Sequence, residues 1–95
     1  MTSAIEEWDW DESNLDYLGR RGITRRLVLE VAWEDPRFRR NKQGRSATHL
    51  MIGPDRGGTM WTVCIVEVAW CPGRWRAFNG WNSDDEDKAW YHRHR

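Results

Sequence analysis

The chain has 95 residues with fifteen basic and fifteen acidic side chains, and this length suits a single domain (residues 1–95) with one small core. Its mean hydropathy is −0.90 and eight residues are tryptophan, so aromatic side chains must supply much of that core. No apolar run approaches the ~18 residues of a membrane span, and the acidic start is unlike a secretory signal, so we expect a cytoplasmic protein with no membrane partner.

The first third of the chain predicts two short helices. The first helix covers residues 11–22 and begins with a capping side chain, either Asp11 or Ser13. The second covers residues 24–34 and begins with Thr24 as its cap. An Asp-Pro pair then ends the second helix, because the residue before a proline disfavours helical backbone.

A β pattern follows the two helices. Residues 38–41 suit a short strand or an irregular arm, and residues 48–53 suit a strand that ends in a Pro- and Gly-rich turn at residues 54–58. Residues 60–70 are apolar on both faces, as expected of a central strand. A Pro-Gly turn then leads into a last strand over residues 73–81.

The last strand runs directly into a helix that reaches Tyr91. Alternation along the strand predicts that Arg74 and Arg76 share one side. Ser83 and Glu86 have the spacing of a capping box, which predicts a helix start at Ser83. The element order predicts an α+β fold with two N-terminal helices, a three- to four-stranded antiparallel sheet and a C-terminal helix, with all helices against one face.

The two cysteines, Cys64 and Cys71, indicate a reduced compartment. Cys64 lies inside a predicted strand, and the pair lacks the spacing of metal ligands. We therefore expect free thiols rather than a disulfide, with no metal site and no cofactor.

The charges are segregated along the chain although their sum is zero. Residues 6–16 are acidic, residues 20–56 are predominantly basic, and residues 84–87 are acidic again. Such asymmetry favours a polyanionic partner. The alternative is a self-complementary surface on which the acidic ends cover the basic middle.

A series of short motifs runs through the chain in order. They are Trp10-Asp11-Glu12, Asn14-Leu15, Gly22-Ile23-Thr24, Asp35-Pro36, Ile52-Gly53 and the stretch from Gly73 to Tyr91. Over about residues 8–93 they resemble the BrnT family, toxins of type II toxin–antitoxin pairs with a RelE-like ribonuclease fold. The resemblance implies a metal-independent endoribonuclease that cleaves RNA, a cognate antitoxin that neutralises it, and operator DNA reached only through the antitoxin complex.

The chain departs from the family at two positions that bear on activity. Arg21 stands where the family has histidine, and Asn79-Gly80-Trp81 replaces a Ser/Thr-Ala-Arg motif, so Trp81 stands at the arginine. These changes leave open a non-catalytic relative that binds protein or RNA with the same fold. A third possibility is an interaction protein whose exposed tryptophans form a partner interface.

Cleavage by the ribose 2′-hydroxyl requires cations around the developing phosphorane charge and groups that move protons. The candidate catalytic residues are Arg76, Arg74, Arg21 and Tyr91. The candidate RNA-binding residues are Trp81, Asn79, Arg39, Arg40, Lys42, His49 and His92. Each also has a structural interpretation, such as an ion pair on a strand, a favourable charge at a helix end or an aromatic ring in the core.

Overall fold

The computed structural model describes residues 5–40 and 48–95, and of Thr48 only the backbone. The elements in chain order are β1 (Glu7–Trp8), α1 (Glu12–Gly19), α2 (Arg25–Trp33), β2 (Arg37–Arg40), β3 (Thr48–Pro54), β4 (Met60–Glu67), β5 (Arg74–Asn82) and α3 (Asp85–Arg93). Across these two ranges the protein is α+β, with three helices and one five-stranded sheet.

The sheet is mixed, with the strand order β1-β5-β4-β3-β2. The pairs from β2 to β5 are antiparallel, which confirms the predicted hairpins and the central position of β4. The prediction of a purely antiparallel sheet with three to four strands is wrong in one respect, because β1 adds a parallel edge strand beside β5. A two-residue strand is too short to show an alternating pattern, so no periodicity in the sequence could indicate it.

Side-chain caps define the starts of the first two helices as predicted. The carboxylate of Asp11 accepts from the backbone N–H of Asn14 at 2.7 Å, and the Thr24 hydroxyl accepts from that of Leu27 at 3.0 Å. The first helix ends at Gly19, earlier than expected. The chain reverses through a turn that closes at Gly22, whose φ of +79° suits glycine.

The start of α3 differs from the predicted capping box. Asp84 is the cap, and its carboxylate accepts from the backbone N–H of Asp87 at 2.8 Å. Ser83 instead extends the β pairing, since its N–H donates to the carbonyl of Met60 at 3.0 Å. The Ser83 hydroxyl is buried against that of Thr62 at 2.8 Å. Ser83 is therefore held by its contacts with the sheet, and the cap of α3 is the next residue, Asp84.

The two faces of the sheet carry different helices. We call the face against α1 and α2 the first face; its core contains Leu18, Ile23, Val28, Val31, Met51, Val63, Ile65, Trp75 and Ala77. Thr62, which points the opposite way from its neighbour Val63, donates to Asp87 of α3 at 2.8 Å. The third helix therefore lies on the second face, and the prediction that all helices cover one face is wrong.

Two smaller predictions have clear outcomes. Cys64 and Cys71 are both free thiols, as expected. In the part of the chain that is described, none of the helices has the length and apolar character needed to cross a bilayer.

Candidate nucleic-acid interface

The second face carries a row of polar and aromatic side chains on β5. Arg74 and Arg76 alternate with the buried Trp75 and Ala77, so the prediction that the two arginines share one side is confirmed. Four of the predicted site residues lie on this face of β5, and we call them the β5 cluster: Arg74, Arg76, Asn79 and Trp81.

A β-bulge brings the two halves of this cluster to the same face. Ala77 pairs with Ile65 while Asn79 pairs with Cys64, which leaves Phe78 as the extra residue. If Phe78 were a regular strand residue, with no bulge, strict alternation would place Asn79 on the face opposite Arg76. The bulge therefore gathers cations and base-stacking candidates that simple alternation separates.

Arg76 is ion-paired with two carboxylates from the acidic start of the chain. Its Nη1 lies 2.6 Å from Oδ2 of Asp9, and its Nη2 donates to Asp11, the cap of α1. The hydrogen bond from Arg76 lowers the pKa of Asp11, and the same bond to Asp11 raises the pKa of Arg76. All three side chains are partly exposed, so water screens these pairs and a phosphate has access to them.

Arg74, two residues before Arg76 on β5, is also paired with a carboxylate from the start of the chain. Its Nε lies 2.9 Å from Oε1 of Glu7 on β1. Parallel pairing of β1 with β5 places Glu7 opposite Arg74, so the acidic start of the chain runs beside the cations of the last strand. The acidic start of the chain therefore pairs here with arginines of the last strand, which lie outside the basic residues 20–56.

Arg39 lies at the other side of the second face, under α3. Its guanidinium is 3.7 Å from the carboxylate of Glu86 and 3.6 Å from that of Asp87, and it lies 5.6 Å from the ring centroid of Trp90. These contacts explain Arg39 as a residue that holds α3 on the sheet.

The Tyr91 hydroxyl is engaged away from the β5 cluster. Tyr91 is buried, and its hydroxyl donates to the carbonyl of Asp35 at 2.9 Å, next to the start of β2. Three strand spacings separate β2 from β5, which is about 14 Å. The Tyr91 hydroxyl therefore lies far from Arg76, and the structure does not bring these two predicted catalytic residues together.

The remaining candidates lie elsewhere. Arg21 is exposed after α1, with its guanidinium carbon 4.7 Å from the Tyr17 ring centroid, and the exposed His92 packs edge-on against Tyr91. Arg40 is exposed at the end of β2. Lys42 falls outside the described residues.

The candidate His49 lies on the first face, in a groove that sequence analysis did not predict. The groove lies between α2 and the sheet, has a volume of about 970 Å³ and includes Trp75, whose ring meets that of His49 edge-on at 5.8 Å. Arg25, Arg26 and Arg56 also line it. The paired arginines directly after the cap of α2 were the signal in the sequence that could have indicated this surface.

Comparison with known proteins identifies no relative of the chain. No family model, no curated protein and no solved structure matches the chain. Within residues 5–40 and 48–95, no group of three or more His, Cys, Asp or Glu side chains is arranged to hold a metal ion.

Proposed function

We propose that the protein is a type II toxin, a cytoplasmic metal-independent endoribonuclease of RelE-like fold that a cognate antitoxin neutralises. The observation that carries the proposal is the β5 cluster, in which two guanidiniums, an amide and a partly exposed indole share the second face of the sheet. The motifs shared with the BrnT family supply the reaction class. They also supply the antitoxin, which would cover the cluster and bring the complex to operator DNA.

The chemistry assigned to the cluster follows from its side chains. Arg74 and Arg76 exchange their carboxylate partners for the RNA phosphate, because a guanidinium binds either anion with the same planar pair of donors. The ribose 2′-oxygen attacks the adjacent phosphorus and its proton passes to water, and the charge of the two arginines stabilises the resulting phosphorane. The P–O5′ bond then breaks, which leaves a 2′,3′-cyclic phosphate and a 5′-oxygen that takes a proton from water. Trp81, 39% exposed, provides a surface on which a base stacks, a contact typically worth about 1–3 kcal/mol.

The direct test is cleavage of end-labelled single-stranded RNA in EDTA by the purified protein without antitoxin. Arg76→Ala is expected to reduce the rate at least about tenfold, a loss typical of removing a transition-state cation. Arg20→Ala is the matched control, since it removes an exposed arginine at the end of α1. Absence of cleavage by folded wild-type protein, or equal losses in both variants, would rule out this assignment.

Salt provides a second test of the same surface. RNA binding through the cluster should weaken as salt rises, with a log–log slope of about 0.7 for each phosphate neutralised. Arg74→Ala and Arg76→Ala should each reduce that slope by one phosphate equivalent. A flat salt response would count against an RNA site at β5.

A non-catalytic relative is the second candidate, and the engaged side chains favour it. The Tyr91 hydroxyl is bonded to a backbone carbonyl, Arg76 has two carboxylate partners, and Trp81 stands where the family has arginine. Such a protein binds RNA or protein through the same face without cleaving. Trp81→Arg distinguishes the two, since it should raise cleavage if the rest of the site is competent and leave it unchanged if the scaffold only binds.

A further inference from the structure

The groove on the first face is lined mainly by apolar side chains. Leu29, Ala32 and Trp33 of α2 form one wall, and Phe38 of β2 contributes from the sheet. The floor includes Trp75, whose buried indole N–H has no hydrogen-bond acceptor among the described residues.

Exposed apolar side chains concentrate at this groove. Six large hydrophobic side chains are exposed in the described ranges, and three of them, Leu29, Trp33 and Phe38, line it. Trp33 is 80% exposed at the end of α2, where it buries little surface in the isolated chain. Contiguous apolar surface of this kind on a small protein indicates an interface.

The charged residues around the groove are predominantly basic. Three arginines, Arg25, Arg26 and Arg56, line it together with two glutamates. Glu30 is already engaged, because its carboxylate accepts from Nε of Arg26 at 3.2 Å and from the backbone N–H of Arg56 at 3.1 Å. Three arginines against the two glutamates, Glu6 and Glu30, leave the lining with one net positive charge beside the apolar wall.

We infer that this groove docks an acidic amphipathic segment of a partner protein. The aliphatic wall and the aromatic floor bind the apolar side chains of the segment, and the arginines pair with its carboxylates. Nucleic acid fits less well, because Glu6 and Glu30 place two carboxylates in the lining, and these repel phosphates.

The test uses synthetic peptides and fluorescence anisotropy. The probe is a fluorescein-labelled helix of about fourteen residues, with Leu and Phe along one face and Glu elsewhere. Its apolar face matches the apolar lining of the groove, and its carboxylates match the arginines. A second peptide carries Lys in place of Glu. We expect wild-type protein to bind the acidic peptide at least about tenfold more tightly than the basic one.

Two tryptophans provide matched variants. Trp33→Ala removes a side chain from the groove, and Trp70→Ala removes one that is 84% exposed in the turn after β4. Trp33→Ala and Leu29→Glu should each weaken the acidic peptide about tenfold or more, while Trp70→Ala should leave binding unchanged. Leu29, Trp33 and Trp70 are all exposed, so the three variants should fold.

Three outcomes would overturn the assignment. They are absence of peptide binding by wild-type protein, equal losses in the Trp33 and Trp70 variants, and tight binding of a single-stranded oligonucleotide that depends on Trp33. Sedimentation velocity tests whether the groove instead binds a second copy of the chain. A dimer that dissociates in the Trp33→Ala variant would show this and would also overturn the assignment. The groove and the β5 cluster lie on opposite faces, so loss of RNA cleavage in Arg76→Ala leaves this test intact.

Discussion

The Nη1 atom of Arg76 lies 2.6 Å from Oδ2 of Asp9, so the cation proposed to bind phosphate already has an anionic partner within the chain. Asp9 follows β1, and its backbone N–H donates to the carbonyl of Trp75 at 2.8 Å, which fixes the carboxylate beside β5. Any RNA that uses Arg76 must therefore compete with an intramolecular carboxylate.

The variant Asp9→Asn removes this competing charge and keeps the shape of the side chain. We expect its affinity for single-stranded RNA to rise about two- to fivefold, the modest effect that a partly exposed ion pair allows. Anisotropy with labelled RNA at low salt measures the change. Asp16→Asn is the control because it makes the same charge change on an exposed position of α1. Equal gains in the two variants would indicate a general charge effect, and a loss in Asp9→Asn would contradict the competition.

Buried hydroxyls at the junction of β4 and α3 should stabilise the fold. Thr62 is fully buried and its single hydroxyl proton goes to Asp87, so Ser83 donates to Thr62 in turn. Thr62→Val keeps the volume but leaves both partners unsatisfied, and we expect a loss of about 1–3 kcal/mol in the free energy of unfolding. Urea denaturation measures the loss.

Thr59→Val is the comparison for that experiment, because Thr59 is exposed in the turn between β3 and β4. It should change the free energy of unfolding by less than about 0.5 kcal/mol. If Thr62→Val is equally mild, the hydrogen bonds between β4 and α3 contribute little to stability.

Gly73 is required by backbone conformation at the turn before β5. Its φ is +90°, and a Cβ atom there would lie 2.6 Å from a carboxylate oxygen of Glu6. The Glu6 side chain can move, but the strained backbone remains, so Gly73→Ala should lower the free energy of unfolding by about 1–2 kcal/mol.

The same substitution at Gly19 should have the opposite tendency. A Cβ atom at Gly19 meets nothing within 4 Å, and the residue is helical. Gly19→Ala is therefore expected to be neutral or to stabilise by up to about 1 kcal/mol. Thermal unfolding of both variants separates conformational strain from a general effect of replacing glycine.

The two thiols should differ in reactivity. Burial raises the pKa of Cys64 to about 11, with a smaller contribution from the charge of Asp87, whereas Cys71 is only half-buried. The thiolate is the reactive form, so a thiol reagent at pH 8 should modify one cysteine rapidly and the second only after unfolding. Mass spectrometry of the modified peptide identifies the rapid site, and modification of Cys64 first would contradict the burial.

The raised pKa of Cys64 also predicts a pH dependence of stability. Below about pH 9 both states keep the thiol proton, but above it the unfolded chain releases the proton while the folded protein retains it up to about pH 11. Stability should therefore decline as the pH rises from about 9 to about 11. Cys64→Ala should show a weaker decline over the same interval, measured by denaturant unfolding at each pH.

The local pattern of the sequence determined most of the secondary structure. The cap Thr24, the apolar run of β4 and the alternation of Arg74 with Arg76 all depend on neighbours within a few residues, and the structure confirms them. Of the two predicted caps for the first helix, Asp11 and Ser13, the structure selects Asp11. These features follow from period and capping chemistry, which a sequence carries directly.

Tertiary structure decided what depends on distant residues. The pairing of β1 with β5, the placement of α3 on the second face and the change of cap from Ser83 to Asp84 each depend on contacts more than twenty residues apart along the chain. The groove likewise exists only because α2 packs against β3, beside the edge strand β2. The sequence by itself predicted that Arg74 and Arg76 share a side, and only the fold decided that carboxylates from the start of the chain meet them there.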